Sequence, residues 1–496
     1  MAGRVWLSSG KEWVPFGGEL ERTGWDGGPD AGDAVLVGRN GIGLADGWRE
    51  LAKPPLVINA GAAAFSAWDE EEVRRRLVRA GAATWPEELG ENRVASYEVA
   101  LFQLLPIAVE RKRVGGQAEV MPGPPNKKIL PEDSRYKPFV RLAVRALYAC
   151  GLDNGIVELA EGEQGRCFVA RITLPSLADY RQGHWKEAVL RLQAELGVGE
   201  SSGTGGAWAG AGAGATASSS ILIGADPEFL LIDAEGRVVS AARYLEGGHG
   251  AGCDAVVVRG QIRYPIAELR PAPAAMPDEL ARNIRKLLQQ ASQRIPSEPA
   301  LRWAAGGMPA AGFALGGHIH LSGVSLTGRL MRMLDSYVAF PLAMIETASE
   351  QSRRPKYGFL GDFRLQPHGG FEYRTLPSWL VSPLAAKAAF ALALLCAREA
   401  NSLSYCPAEE DRYVAAYYAG DSEVLRGCME QLALSMRTTS SYRELEPWIE
   451  PLLVVIREGK KWDTTVDLRT KWRISVGGGE DRRPIMQMNG SVRAVE

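Results

Sequence analysis

Four short stretches of this chain place two ionisable residues one residue apart. They are Asp226 and Glu228 in GADPEFL, Glu268 and Arg270 in AELRPAP, His318 and His320 in GGHIHLSG, and Glu372 and Arg374 in FEYRTLP. The chain has five histidines in 496 residues, so two within three positions are an unusual concentration. Carboxylates are hard oxygen donors suited to Mg²⁺ or Mn²⁺, and an imidazole among them is compatible with a divalent site bridged to phosphate. Arg270, Arg364 and Arg374, with Arg353, Arg354 and Lys356, bring fixed positive charge of the kind that stabilises a phosphoryl group in transfer. Acids and arginines together point to a divalent metal and a nucleotide.

Such side chains need elements that aim them. Residues two apart project to one face of a strand, so each pair predicts a strand with two polar groups on one side, and Ile319 and Leu321 belong on the other. Strand-like runs fall at 221–232, 255–270, 313–321 and 370–376, with helical patterns at 277–295, 328–349, 383–402 and 421–458. Strands and helices that do not alternate regularly predict an α+β architecture, a mainly antiparallel sheet with helices on one side, whose four polar-faced strands form one concave surface. Pro227, inside the first pair, has no ladder N–H to give and predicts an edge or a bulge.

At this length two or three domains are expected. Gly, Ser and Ala crowd 197–220 and predict a flexible linker between a first region, 1–196, and a second, 221–458, with a tail, 459–496, that the pattern does not place. A formal net charge of -2 gives no global pull toward nucleic acid or anionic lipid. The six cysteines show no paired or zinc-ligand spacing, the start has no signal-peptide core, and the apolar run 385–397 is too short to span a bilayer. These features lead us to expect a cytoplasmic protein with free thiols.

The ordered set GADPEF, AELRPAP, GGHIHLSG, RR, YGFLGDFR and GGFEYRTLPSWL, over about 221–400, resembles the type 2, phage-type carboxylate-amine ligases (amidoligases) of the glutamine synthetase-like superfamily. The resemblance implies a catalytic domain with a curved antiparallel sheet. It implies Mg²⁺ or Mn²⁺ held by Glu228, Glu268, His318 and Glu372, and ATP contacted by Arg270, His320, Arg364 and Arg374. Arg364 and Arg374 would stabilise the transferring γ-phosphoryl, and Asp226 or Asp254 would take the proton of the amine. The implied reaction joins a small-molecule or peptide carboxylate to an amine through an acyl phosphate, releasing ADP and phosphate, with no part for nucleic acid or membrane. Asp226 stands where the family pattern has glutamate.

Other assignments compete. A lone acid or arginine on a strand is usually solvated, the Arg353-Arg354-Pro355-Lys356 run is more often a solvated loop than a phosphate clamp, and His249 sits in a glycine-rich turn. No glutamate follows His320 at cupin spacing and no HExxH is present, leaving a metal-dependent hydrolase or a non-catalytic nucleotide-binding module as alternatives. In the first region, the glycines after Val37 read as a simple turn, and the segment from Pro54 reads as strand, amphipathic helix, strand. That segment and 143–177 are similar to parts of an ATP-grasp fold. This implies a smaller, reduced α/β module for substrate or partner docking, since Ala170-Arg171-Ile172-Thr173 stands where the fold's metal-binding acid and asparagine would be.

Overall fold

A computed structural model describes residues 3–9, 12–16, 29–30, 32–39, 55–86, 90, 93–112, 127–198, 220–258, 261–297, 300–367 and 369–475. The described chain divides into two compact units, the first built from 3–198 together with Ser325–Arg332, the second from 220–324 and 333–475.

In the first unit, strands β1 (Val5–Ser9), β2 (Glu12–Pro15), β3 (Ala34–Val37) and β4 (Leu56–Ile58) form one sheet, parallel except where β2 joins β1. Helices α1 (Ala62–Ala67) and α2 (Glu70–Arg79) follow, two where a single helix is expected. Trp68 and Asp69 separate them, and Asp69 caps α2 by accepting from the Glu72 N–H. A second, antiparallel sheet comprises β5 (Ala95–Phe102), β6 (Leu105–Lys112), β7 (Lys127–Lys128), β8 (Gly155–Glu161) and β9 (Cys167–Thr173), with helices α3 (Tyr136–Ala149) and α4 (Gly183–Val198). Leu7, Leu36, Phe102, Tyr180, Trp185 and Val189 share one core. The glycines at 41 and 43 lie outside the described residues. So does most of the expected linker, whose first two residues, Gly197 and Val198, belong to α4.

The second unit contains β10 (Leu222–Ala225), β11 (Glu228–Ile232), β12 (Val238–Val239), β13 (Gly250–Val258), β14 (Gln261–Arg270), β15 (Arg302–Ala304), β16 (Ile319–Ser322), β17 (Phe363–Leu365) and β18 (Phe371–Tyr373). Every pairing is antiparallel, but there are two sheets: β10-β16-β18-β17, and β12-β11-β14-β13 with β15 also on β11. The expected strand 221–232 is split between them. Pro227, with no N–H to offer a ladder, sits where the chain leaves the first sheet for the second, a sheet switch rather than an edge or bulge. The Pro227 carbonyl still accepts from Leu269 N in the second sheet.

Around the sheets run α5 (Pro277–Arg294), α7 (Phe340–Ile345), α8 (Pro383–Glu399), α9 (Asp411–Ala419), α10 (Ser422–Arg426), α11 (Met429–Arg437), α12 (Tyr442–Arg457) and α13 (Leu468–Trp472), while α6 (Gly328–Leu334) lies mostly in the stretch that belongs to the first unit. Helix α5 starts on Pro277 with Asp278 and Glu279 at its positive end, and it buries Leu280, Ile284 and Leu288 at helical spacing. Helix α8 is apolar nearly all round because it is buried, and the lysine that interrupts it, Lys387, pairs with Asp278 at 2.6 Å. Among the described residues no helix is long and apolar enough to cross a membrane. All six cysteines are free thiols. The described part of the expected tail packs: Trp462 Nε1 donates to Glu350 at 2.5 Å and Trp472 Nε1 to the Leu380 carbonyl at 2.7 Å.

One close backbone approach fixes where β16 begins. Gly317 N donates to the Leu376 carbonyl at 3.1 Å, and Trp379 Nε1 donates to the Gly317 carbonyl at 2.7 Å. A Cβ at Gly317 would lie 2.3 Å from the Pro377 oxygen and 2.7 Å from Trp379 Nε1. Gly317→Ala is therefore expected to cost about 1–3 kcal/mol in a urea titration of the protein, the usual range for overpacking. An unchanged midpoint would show that this approach relaxes freely.

Candidate active site

The sheet β10-β16-β18-β17 buries one face and keeps the other polar. Ile223, Ile319, Leu321, Phe371 and Tyr373 are each 1% exposed or less. The alternate positions align across the strands as one row: Gly224 opposite His320, His320 opposite Glu372, and Glu372 opposite Arg364. Asp226 follows the end of β10, and His318 precedes β16.

At the centre of this face three side chains converge. His318 Nδ1 lies 3.1 Å from Asp226 Oδ1 and 3.1 Å from Glu372 Oε1, and His320 Nε2 lies 3.3 Å from Asp226 Oδ2. Potential donor atoms of Asp226, His318 and Glu372 all fall within 4.8 Å of one another. Asp226 Oδ1, Glu372 Oε1 and His320 Nε2 are shielded from solvent, yet none makes a hydrogen bond of good geometry. Buried polar atoms normally do. Oxygen and nitrogen donors spaced near 3 Å without well-directed hydrogen bonds between them are what neighbouring ligands of an octahedral Mg²⁺ or Mn²⁺ look like. At metal-ligand lengths of about 2.1 Å the expected spacing is about 3 Å. The residues present therefore fit a divalent cation.

Backbone packing sets this arrangement. Glu228 N donates to the Gly316 carbonyl at 3.1 Å, and Gly316 N donates back to Glu228 Oε2 at 2.6 Å, so one residue clamps the segment before His318 from both sides. A Cβ on Gly316 would sit 2.4 Å from His318 Nε2, so only glycine there lets the imidazole present Nδ1 to the two carboxylates. Glu372, fully buried, accepts at Oε2 from Arg364 Nε at 2.7 Å and Gln366 Nε2 at 2.8 Å, while Arg374 NH1 lies 3.1 Å from Oε1.

Charge follows from this geometry. Burial works against an imidazolium at His318, but the Asp226 and Glu372 carboxylates outweigh it and raise its pKa to about 10. Burial likewise works against the carboxylates, and His318 holds both Asp226 and Glu372 below the usual range. Glu228 goes the other way: its burial dominates and pushes it up to about 7.

The second sheet gathers the remaining expected residues on one face of its own. Glu228 stands opposite Glu268, and Glu268 opposite Gly252, with Arg270 and Asp254 two residues along their strands. Arg270 pairs with Glu268 and donates to the Gly248 carbonyl at 2.7 Å. The Asp254 side chain makes no hydrogen bond or ion pair among the described residues, while its backbone pairs in the ladder with β14. Thus the structure collects Asp226, His318, His320, Glu372, Arg364 and Arg374, and leaves Glu228, Glu268, Arg270 and Asp254 on the adjoining strands. Asp226 and Glu228 do not share a strand face, because the sheet switch falls between them.

Arg353 and Arg354 are neither a phosphate clamp nor a solvated loop. They are 3% and 8% exposed, Arg353 donating to the Thr375 and Leu376 carbonyls and Arg354 paired with Glu346. The sequence reading places Gln366, with His368, in a Gly/Pro loop and gives it no role at the site. The signal available was its place two residues after Arg364, which on a strand puts both on one face. His368 lies outside the described residues.

Comparison with known proteins adds the following. Residues 223–474 match the family model described as phage phiEco32-like COOH-NH2 ligase, type 2. Among solved structures, the chain is similar to a bifunctional glutathione synthetase from Pasteurella multocida at 11% identity and a TM-score of 0.32, covering 51% of this chain. The match spans 48% of that protein, about half its length, and a likeness so faint carries no argument. No curated protein matches the chain.

The raised pKa of His318 has a direction that can be checked. The folded protein holds this proton more tightly than the unfolded chain, so the stabilisation is fully present below about pH 6.5 and is lost as the pH climbs through about 10. In metal-free protein the His318 ring, followed by NMR, is expected to titrate near 10, and Gly316→Ala, by turning the ring, is expected to bring it back toward the ordinary range. A wild-type midpoint near 6.5 would contradict the convergence on Nδ1.

Proposed function

The chain belongs to the phage phiEco32-like COOH-NH2 ligase type 2 family, and from that premise we propose that it is an ATP-dependent ligase joining a carboxylate to an amine through an acyl phosphate. The observation that carries the proposal is the convergence of Asp226, His318 and Glu372 beside Arg364 and Arg374, a donor set suited to a divalent cation beside phosphate.

In this reading Asp226 Oδ1, His318 Nδ1 and Glu372 Oε1 hold the cation. Glu228 and Glu268, facing each other on β11 and β14, border the same seam. When bound, a divalent cation neutralises phosphate oxygens and polarises the phosphoryl group. Arg374, a quarter exposed and anchored beside Glu372, places a fixed charge where the γ-phosphoryl transfers. His320, held toward Asp226, orients phosphate or substrate.

The chemistry balances without any oxidant. A substrate carboxylate oxygen bonds to the γ-phosphorus as ADP leaves, and the amine nitrogen then bonds to the acyl carbon as phosphate leaves. One proton must be removed from that nitrogen. Asp226 lies between two imidazoles and is engaged, whereas Asp254 is not and shares its sheet face with Glu228, so Asp254 is the better placed acceptor.

Hydroxylamine is a general amine that traps acyl phosphates as hydroxamates. Incubated with ATP, Mg²⁺, hydroxylamine and a panel of carboxylic acids, the wild-type protein is expected to give hydroxamate and ADP together. Glu372→Ala and His318→Ala are expected to reduce both by at least about a hundredfold. ATP turnover that needs neither acid nor amine would contradict a ligase.

A further inference from the structure

Glu372 has two oxygens in unlike situations. Oε2 accepts from Arg364 Nε at 2.7 Å and Gln366 Nε2 at 2.8 Å, and Arg364 Nη2 forms an ion pair with it at 2.5 Å. A carboxylate oxygen offers roughly two acceptor directions, so these two N–H donors fill it. Oε1 lies 3.1 Å from both His318 Nδ1 and Arg374 Nη1, buried and without a well-directed hydrogen bond.

The two groups on Oε2 are anchored differently. The Arg364 side chain is 58% exposed. Gln366 closes the β17–β18 hairpin: its N–H donates to the Gly370 carbonyl at 2.8 Å, and its carbonyl accepts from Gly369 N at 3.1 Å. Its backbone is thus fixed, and Gly370, opposite it, puts no side chain in the way. From there its amide reaches diagonally across the ladder to Glu372, as residues on one face of paired strands do. An amide can serve here where an acid cannot, since it donates without adding negative charge.

We propose that Gln366 is a positioning residue that holds Glu372 Oε2 away from the cation, so that Glu372 binds metal through Oε1 alone. The proposal rests on the metal-binding reading of the site given above. It explains why Glu372 points one oxygen at His318 while neutral and charged donors take up the other. Fixing a ligand carboxylate in this way ordinarily raises metal affinity by about tenfold or more.

The test is a Mn²⁺ titration of the full-length protein, reading free Mn²⁺ by EPR, for wild type, Gln366→Met, Gln366→Lys and Glu372→Ala. Methionine keeps the length and loses the donor; lysine restores an N–H donor. Gln366→Met is expected to bind Mn²⁺ about tenfold more weakly, with an unchanged thermal midpoint for the metal-free protein. Gln366→Lys is expected to bind more tightly than Gln366→Met despite its added positive charge. Wild-type affinity in Gln366→Met, or no recovery in Gln366→Lys, overturns the inference. If wild type binds no Mn²⁺, or Glu372→Ala binds it as well as wild type, the metal-binding reading itself fails and this inference falls with it.

Discussion

The chain changes sheets at Asp226-Pro227, and the candidate site exists because it does. Up to Ala225 the backbone pairs with β16; from Glu228 it pairs with β14. At the change, Glu228 reaches back with its own N–H and its carboxylate to grip Gly316. That grip, with the Leu376 and Trp379 contacts on Gly317, sets the last residues before His318. Proline at 227 forbids a continued ladder, and glycine at 316 and 317 permits the close approach. The imidazole is aimed by backbone, not by a hydrogen bond of its own.

Charge then does what position allows. Two carboxylates brought to one place repel each other and lose hydration, which is costly unless a positive charge sits between them. In the protein alone, a protonated His318 supplies it, as the opposed shifts of His318 against Asp226 and Glu372 show. A divalent cation would do the same with more charge and better-suited geometry. Arg364 and Arg374 flank Glu372 on either oxygen, so the buried carboxylate is held from two sides.

How much of this could be read from the residues differs from place to place. The faces of the HIHLS and FEY strands were legible, because alternation of polar and apolar residues is a local property; Ile319, Leu321, Phe371 and Tyr373 are in the core. Helix α5 was legible from Pro277 and its apolar spacing, and α8 from Ser382, Pro383 and its apolar run. The division into two sheets was not, since pairing partners are non-local and GADPEFL reads as one strand until Pro227 is given weight. For the same reason Asp226 joins the cluster and Glu228 becomes a clamp, an exchange of parts that spacing alone does not express. Arg353 and Arg354 misled because charge suggests solvent; both are buried, held by carbonyls and, for Arg354, by Glu346 too, partners that only the folded chain brings near.

We propose that Asp226, His318 and Glu372 form one cation site at the seam between two sheets. Anomalous diffraction from crystals of the protein soaked in Mn²⁺ tests it most directly. A single strong peak in contact with Asp226 Oδ1, His318 Nδ1 and Glu372 Oε1 is the predicted result. Well-ordered crystals with no peak there at millimolar Mn²⁺, or with the metal held by other residues, would contradict it.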